Sequence, residues 1–469
     1  MTLSPSSQAP ASAAPATKAQ STGAKTAEAA SAEPTSAGAT PAPRGGRFAR
    51  LPLLAGRSFI PLGLFARLPL AMLTVGALTL VTAVTGSYAV GGAAAGAVGI
   101  GSALGAPVLG ALADRLGQRP VLLFSAVFNT LAVTVLILAA YLVPGGRELA
   151  GAAPVLAAAF VSGASCPQVG PLARVRWMAL SSRRGGAGHT DDLDTALSYE
   201  STADELTFVL GPALVGILAS LINPWLPLAL AAALTLTLVP AFAVHPTHSA
   251  VPRTPARSRS VSAAARQRRA ELTAGQRAAG FAAVGLPVLA MVCMGTFFGA
   301  TQTSLSSFAA SFATSELAGL LYAVMGLSSA AAALSVAYWP RRFGVNARWL
   351  ACAALMAGLA ALLLLPSTAL PMILVLLVLG LPVGPLMVTV FAIGGLVAPA
   401  GKLGTVMTAL ASGIVAGTAV GSSVAGRLAQ DLGYSAAFLV PVCAAAALFL
   451  LGAGAAVVLR RGTTAAAPS

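Results

Sequence analysis

The chain has 469 residues, of which 57% are hydrophobic and only 9% are charged, with 28 Lys and Arg against 13 Asp and Glu. A soluble globular protein needs a charged surface, so this composition excludes that class and indicates an integral membrane protein. The positive balance does not indicate nucleic-acid binding, because the arginines cluster in short segments between apolar runs and form no basic face with interleaved aromatic residues.

Residues 1–46 consist mainly of Ala, Ser, Thr, Pro and Gly. Such a segment cannot bury enough apolar surface to fold, so we predict a disordered tail. A secretory signal is not expected, because no charged start is followed at once by an apolar core. Residues 47–57 turn basic and then apolar, which predicts a short helix at the membrane interface.

Twelve apolar runs follow, and each is long enough to cross a bilayer as a helix. We place the spans at 61–88, 91–112, 120–143, 153–180, 196–222, 225–244, 282–308, 315–339, 347–366, 370–398, 402–425 and 436–459. The expected fold class is all-α: a polytopic membrane protein whose twelve helices form two pseudo-symmetric six-helix bundles, at 47–244 and 281–460. A basic linker at 245–280, with an amphipathic piece near 263–272, joins the bundles, and a short tail at 461–469 ends the chain.

The distribution of basic residues predicts the orientation. With the N-terminus inside, every Lys and Arg except Arg147 and Arg427 falls in a cytoplasmic segment or at a cytoplasmic helix end. The opposite orientation would place the arginines of the central linker outside together, against the positive-inside rule. We therefore expect a protein of the cytoplasmic membrane with both termini and the central linker in the cytoplasm.

A short polar segment between the second and third spans reads Gly110-Ala-Leu-Ala-Asp114-Arg115-Leu-Gly117-Gln-Arg119. Gly110 and Gly117 permit close helix approach and a tight turn, and Asp114 is placed at a helix end. The two arginines hold the loop on one side of the membrane.

This pattern, Gly-x-Leu-Ala-Asp-Arg-x-Gly-x-Arg, resembles the loop between helices 2 and 3 of the major facilitator superfamily of transporters. The resemblance covers about residues 60–460 and is only topological in the second half. It implies two bundles that rock about a central cavity. As a hypothesis, the five residues Gly110, Asp114, Arg115, Gly117 and Arg119 form a latch that holds one conformation.

The fifth span carries three carboxylates near one end. Glu200 and Asp204 are four residues apart and share a helix face, whereas Glu205 lies about 100° round from Asp204. Carboxylates are costly to keep ionised when desolvated, so these three are candidates for proton exchange. The alternative is a structural ion pair.

Three arginines are possible partners for those acids. Arg174 and Arg176 lie at the matching end of the fourth span, and protonation of Glu205 or its neighbours would weaken their pairing with Arg174. Arg67 lies in the first third of the first span. It either snorkels to the interface or faces the central cavity and pairs with an acid of the fifth span.

Gly211-Pro212 with Gly216 resembles the Gly-Pro signature in the fifth helix of the superfamily's antiporters, although its second glycine pair is incomplete. The resemblance implies export rather than uptake; the alternative is an ordinary proline kink. The segment is echoed in the eleventh span by Gly421 and Gly426, which supports an internal repeat.

Polar and aromatic residues deep in the fourth and seventh spans are candidates for the substrate cavity, with helix–helix hydrogen bonds as the alternative. They are Gln168, Thr296, Phe297, Phe298, Gln302 and Thr303. A cavity this apolar suits a lipophilic, drug-like molecule better than a sugar, which needs many hydrogen-bond partners.

The four cysteines lie apart inside apolar runs, and the three histidines lie in predicted loops. We therefore expect no metal site, no catalytic residues and no cofactor, which argues against an enzyme. The predicted function is proton-coupled efflux of a lipophilic small molecule by a monomer in the bilayer, driven by the proton gradient. Uptake by symport or facilitated diffusion is the alternative within transport, and a non-transporting scaffold is the alternative outside it.

Overall fold

The computed structural model describes residues 46–142, 151–184, 189–252, 274–311 and 316–464. The predicted tail up to residue 45, the amphipathic piece near 263–272, Arg147 and residues 465–469 lie outside these ranges. A 3₁₀ turn at Arg47–Arg50 and a short helix at Leu51–Ala55 precede the first long helix, where the sequence predicts a short helix.

Within the described ranges, twelve helices are long and apolar enough to cross a membrane. They are α1 Phe59–Thr85, α2 Ala89–Leu116, α3 Gln118–Leu142, α4 Ala153–Arg183, α5 His189–Leu221, α6 Leu226–Val244, α7 Ala282–Ala310, α8 Ala318–Tyr338, α9 Val345–Leu364, α10 Ala369–Val397, α11 Leu403–Leu432 and α12 Tyr434–Ala456. This confirms the predicted fold class of twelve helices. Large apolar side chains such as Leu104, Leu131 and Leu370 are exposed on the outside, as a lipid-facing surface requires.

Two helices of the first half, α1 and α4, are interrupted. The first consists of Phe59–Phe65 and Leu68–Thr85, separated at Ala66 and Arg67 just before Pro69, whose ring nitrogen cannot donate a hydrogen bond.

The other interrupted helix, α4, consists of Ala153–Ala164 and Val169–Arg184, and the gap contains Pro167. A break inside a membrane needs new partners for the freed backbone groups. Asn129 of α3 supplies one, because its amide donates to the Ser162 carbonyl at 2.6 Å and to the Ser165 hydroxyl at 3.1 Å.

Equivalent helices pack through glycine in both halves. A Cβ added at Gly211 of α5 would lie 2.7 Å from the Ala71 Cβ of α1, and one added at Gly421 of α11 would overlap the Thr296 carbonyl of α7. Such close approach is open only to glycine. The repeated Gly211 and Gly421 therefore occupy corresponding places, and the positions of Glu200 and Asp204 correspond to the apolar Leu410 and Ile414.

Each half has its own apolar core. Contacts between the halves, such as Asp114 with Gly404 and Arg341 with Asp191, lie toward one end of the helices. We call it the basic end because Arg119, Arg341 and Lys402 lie there. A small cluster of Leu197 with Ala333, Val336 and Val388 joins α5 to α8 and α10. The two halves are therefore closed against each other toward the basic end.

Candidate functional site

A buried charge cluster of Arg67, Arg174, Glu200 and Asp204 occupies the interior of the first half. Asp204 accepts from both arginines, at 2.7 Å from Arg67 Nη1 on one oxygen and 2.7 Å from Arg174 Nη2 on the other. Glu200 accepts from Arg67 Nη2 at 2.5 Å and from the Trp177 indole N–H at 2.7 Å. Two guanidinium groups thus balance two carboxylates, which is what makes their burial tolerable.

The break in α1 places Arg67 inside the bundle. Its Nε donates to the Gly63 carbonyl at 2.9 Å, and its Nη1 also donates to the Glu200 carbonyl at 3.2 Å. Its side chain is only 4% exposed. Of the two alternatives that the sequence left open, the structure has the inward one: Arg67 pairs with the acids of α5 and does not snorkel.

Arg174 connects the charge cluster to the second half of the chain. Its guanidinium carbon lies 3.9 Å from the centre of the Phe391 ring of α10, a cation–π contact across the two bundles. Its Nη2 is bonded to Asp204, whereas its buried Nε has no hydrogen-bond partner among the described residues. Arg174 therefore belongs to both the acid cluster and the bundle interface.

Arg176, the other possible partner of the acids, has a different role. It donates to Gln118 Oε1 at 2.8 Å, to the Phe242 carbonyl at 2.8 Å and to the Thr247 hydroxyl at 3.0 Å, and it stacks on the Phe242 ring. In the described part of the chain it forms no ion pair with Glu200 or Asp204. The predicted ion pair is therefore made by Arg174 and Arg67 alone.

Glu205 faces away from the cluster, toward α8. Its carboxylate accepts from the Ser329 hydroxyl at 2.9 Å, and Thr202 nearby donates to the Ala330 carbonyl at 3.1 Å. Glu205 is buried, and no basic side chain pairs with it among the described residues. The expectation that it would pair with Arg174 is wrong, because the 100° step round the helix turns it to the bundle interface.

A central cavity of about 50 Å³ lies between the two halves beside the charge cluster. Arg67, Gln168, Arg174, Asp204 and Phe391 line it, together with apolar side chains of α1, α5 and α11. Of the predicted cavity residues, Gln168 is therefore in place. Its amide also donates to the Cys166 carbonyl at 2.9 Å.

The five candidates in α7 do not line this cavity, and the prediction is corrected for them. Phe297 and Phe298 are buried in the core of the second half. Thr296 and Thr303 lie against glycines of α11, and Gln302 is exposed. For Thr296 and Thr303 the reason is the close packing of α7 on α11, which makes their face of α7 a helix contact.

At the basic end, Asp114 caps the start of α11. Its Oδ1 accepts from the Gly404 N–H at 2.8 Å, and its Oδ2 accepts from the Thr405 N–H and hydroxyl, each at 2.7 Å. A carboxylate at a helix N-terminus satisfies free N–H groups and meets the positive end of the helix dipole. The cap therefore ties α2 of one half to α11 of the other.

The other residues of the Gly110–Arg119 segment differ in their contacts. Gly110 lies where a Cβ would overlap Thr408 of α11, and Gly117 ends α2 with a φ of 92° that favours glycine. Arg115 and Arg119 are exposed, and neither makes a hydrogen bond or ion pair among the described residues. Contacts to the other half thus come from Gly110 and Asp114, not from the arginines.

Further ion pairs join the halves at this end. Arg341 pairs with Asp191 of α5 at 2.9 Å, and Arg348 of α9 lies 3.5 Å from Asp194. Side chains of both halves also line a cavity of about 1140 Å³ there, which reaches inward to Val175. Val175 is adjacent to Arg174, so the Arg174–Phe391 contact lies between this outer cavity and the central one.

Of the predicted Gly-Pro segment in α5, the structure gives a packing role to the first glycine. Gly211 packs directly on α1, and Pro212 lies inside a continuous helix. Gly216 is exposed, and an added Cβ there would have no atom within 4 Å. Only the first glycine is therefore needed for packing.

Five important residues were not found from the sequence. Trp177, Phe391 and Ser329 contact the charged side chains, and Gln118 and Asn129 support α3 and α4. Asn129 and Gln118 carried a signal, since a buried amide in an apolar run needs a partner. An aromatic or serine side chain in such a run carries none.

Comparison with known proteins assigns the chain to a family. The family model described as Major Facilitator Superfamily matches residues 59–411. The chain belongs to the major facilitator superfamily. It is thus a multi-pass membrane protein of a transporter family and not an enzyme. Among described residues, no group of three or more His, Cys, Asp or Glu is placed to hold a metal ion.

Solved structures of the superfamily share this fold. The human organic anion transporter MFSD10 (TETRAN) superposes with a TM-score of 0.60 at 18% identity, covering 84% of this chain and 98% of that one. FucP in the outward conformation gives 0.56 at 15% identity, covering 85% and 99%. The E. coli fucose:proton symporter FucP gives 0.58 at 16% identity, again covering 85% and 99%. No curated protein matches the chain by sequence. At these identities the likeness establishes the fold alone.

Proposed function

We propose that this major facilitator superfamily member exports a lipophilic small molecule across the cytoplasmic membrane in exchange for protons. It acts as a monomer, needs no cofactor and is driven by the proton gradient. The clustering of Lys and Arg supports a cytoplasmic basic end. In that orientation the present conformation is closed toward the cytoplasm, and alternating access requires a second conformation in which the basic end opens.

The observation that carries proton coupling is the position of Glu205. Its carboxylate lies buried between α5 and α8, holds only the Ser329 hydroxyl and has no cationic partner among the described residues. An ionised carboxylate is costly in such a place, whereas a protonated one is tolerated. Glu205 therefore carries its proton while the interface is closed. Separation of α5 from α8 admits water and releases the proton to the cytoplasm.

Glu200 and Asp204 have a different task in this proposal. Both are neutralised by arginines, so they position Arg67 and Arg174 instead of exchanging protons. Arg174 on Phe391 closes the path between the central cavity and the basic-end cavity. The Asp114 cap on α11 and the α5 to α8 contact hold the same closed conformation, so proton release and opening are coupled.

The direction of transport rests on the Gly211-Pro212 signature and on the orientation. The direction of transport and its coupling to protons are tested in inside-out vesicles with a preset pH gradient. A quenched dye reports the gradient while lipophilic compounds are added. We expect compound-dependent collapse of the gradient that is lost in Glu205→Gln and kept in Asp431→Asn, an exposed carboxylate at the far end of α11.

The outcomes separate the alternatives. A gradient response that persists in Glu205→Gln would exclude Glu205 as the proton carrier. In these vesicles the uptake direction of the cell runs out of the lumen, so release of a preloaded compound that survives loss of this carboxylate would favour uptake. A folded, inserted protein that moves no compound in either direction would favour the scaffold alternative.

A further inference from the structure

Two arginines, Arg67 and Arg174, line the central cavity, and this bears on the charge of the substrate. Both carboxylate oxygens of Asp204 are already held, one by Arg67 and one by Arg174. Glu200 is held by Arg67 and Trp177 and does not line the cavity. A cationic ligand would have to displace a buried guanidinium to reach a carboxylate, which leaves that guanidinium unpaired.

Arg174 has a hydrogen-bond donor that is not used by the charge cluster. Its side chain is 1% exposed and lines the cavity, and its Nε has no partner among the described residues. The Nε and Nη2 form one edge of the planar guanidinium, whose two N–H bonds match the two oxygens of a carboxylate. Asp204 uses only the Nη2 of that edge.

The walls around this edge are apolar and aromatic. Leu70, Phe208, Phe391, Ile414 and Val415 line the cavity with it. A volume of about 50 Å³ takes the head group of a ligand, while a drug-sized body needs several hundred Å³. The body can therefore enter only when α1, α4 and α5 move against α10 and α11.

From these observations we infer that the substrate is an amphipathic organic anion, with a carboxylate-like head bound by the Nε–Nη2 edge of Arg174 and an apolar body on the aromatic wall. This rests on the proposed export function and names its substrate class. On binding, the head accepts from the free Nε of this edge, and Asp204 keeps its bonds to Nη2 and to Arg67, so no buried carboxylate loses its partner. The proton remains on Glu205, outside the cavity lining, so anion and proton use separate sites.

The inference is tested by equilibrium binding to the purified full chain in lipid nanodiscs, with empty nanodiscs subtracted to remove partitioning. Three probes share one apolar body: 1-naphthoate, its uncharged carboxamide, and the corresponding methylammonium cation. We expect naphthoate to bind roughly tenfold to a hundredfold more tightly than the carboxamide, because charge-assisted bonds are the stronger ones, and the cation to bind most weakly.

Two variants isolate the guanidinium edge. Arg174→Gln should bring naphthoate and carboxamide to nearly equal affinity. Arg174→Lys keeps a cation beside Asp204 without the planar edge, so it should fold and show an intermediate preference. Arg57→Gln, at an exposed arginine outside the cavity, should bind like the unaltered chain.

The inference is overturned if the cation binds as tightly as naphthoate, if naphthoate does not bind at millimolar concentration, or if the full preference survives in Arg174→Lys and Arg174→Gln. The proposed function is judged separately, because Glu205→Gln should keep the naphthoate preference while it loses proton flux. If the unaltered chain shows no compound-dependent proton flux but still prefers naphthoate, proton-coupled export is rejected and the inferred anion site is retained.

Discussion

Replacing Asp114 by Asn should weaken the closed conformation of the basic end. The carboxylate accepts three hydrogen bonds from Gly404 and Thr405 at the start of α11. An asparagine has one acceptor oxygen, and its NH₂ group would face an N–H donor. Loss of a charge-assisted bond and of the helix-dipole interaction amounts to about 2 kcal/mol for this partly exposed site. That corresponds to roughly a thirtyfold shift toward the open conformation.

The shift can be measured by cysteine labelling. Val175→Cys lies at the inner end of the basic-end cavity, where the side chain is 2% exposed, and is introduced into a chain without its four native cysteines. With Asp114→Asn, its reaction rate with an impermeant maleimide should rise about tenfold or more, in proportion to the open population while that stays minor. Asp431→Asn makes the same change at the exposed far end of α11 and should leave the rate unaltered. An unchanged rate in folded Asp114→Asn would refute the idea that this cap stabilises closure.

Three other substitutions test the framework. Arg67→Met leaves the two buried carboxylates of α5 without one of their cationic partners. It should lower the free energy of unfolding, measured by denaturant titration, by roughly 3–5 kcal/mol. A loss below about 1 kcal/mol would contradict the role given to the charge cluster. Gly110→Val would overlap α11 and should raise the rate of maleimide labelling at Val175→Cys. Gly96→Val, at a glycine with open space around it, should leave this rate unchanged. Equal labelling rates in the two variants would exclude a steric cause. Burial and the nearby Arg176 guanidinium lower the pKa of His245 below its ordinary value. The His245 side chain therefore binds a proton more readily in the unfolded chain than in the folded one. The free energy of unfolding should consequently fall as the pH drops below about 6.5. Melting temperatures at pH 7.5 and 5.5 should differ less in a His245→Gln chain than in the unaltered one, and an equal difference would assign the dependence to other groups.

The membrane spans and the Asp114 segment could be predicted because they depend on local features. Apolar runs of this length have few alternatives to a membrane helix. Gly117 follows from the tight turn, since its φ of 92° favours glycine. Arg115 and Arg119, in contrast, match the family pattern but lie exposed. A pattern of residue types cannot tell which members of it touch the neighbouring bundle.

The acids of α5 show where sequence reasoning stops. Their spacing places Glu200 and Asp204 on one face and Glu205 on another, and this helical geometry is intrinsic to the chain. Which face meets arginine and which meets serine depends on helices far away in the sequence. Asp204 receives Arg67 and Arg174, whereas Glu205 receives Ser329 of the other half.

The sequence by itself determined that this protein is a twelve-helix membrane protein with a charge-bearing first half, because hydropathy and helix periodicity are local properties. Only the tertiary structure decided that Arg67 turns inward, that Arg174 stacks on Phe391, and that the face of α7 with Thr296 packs on α11. In a chain whose helices are apolar on every side, the hydrophobic pattern does not specify which face meets which neighbour. Glycine contacts and buried hydrogen bonds between distant segments make that choice.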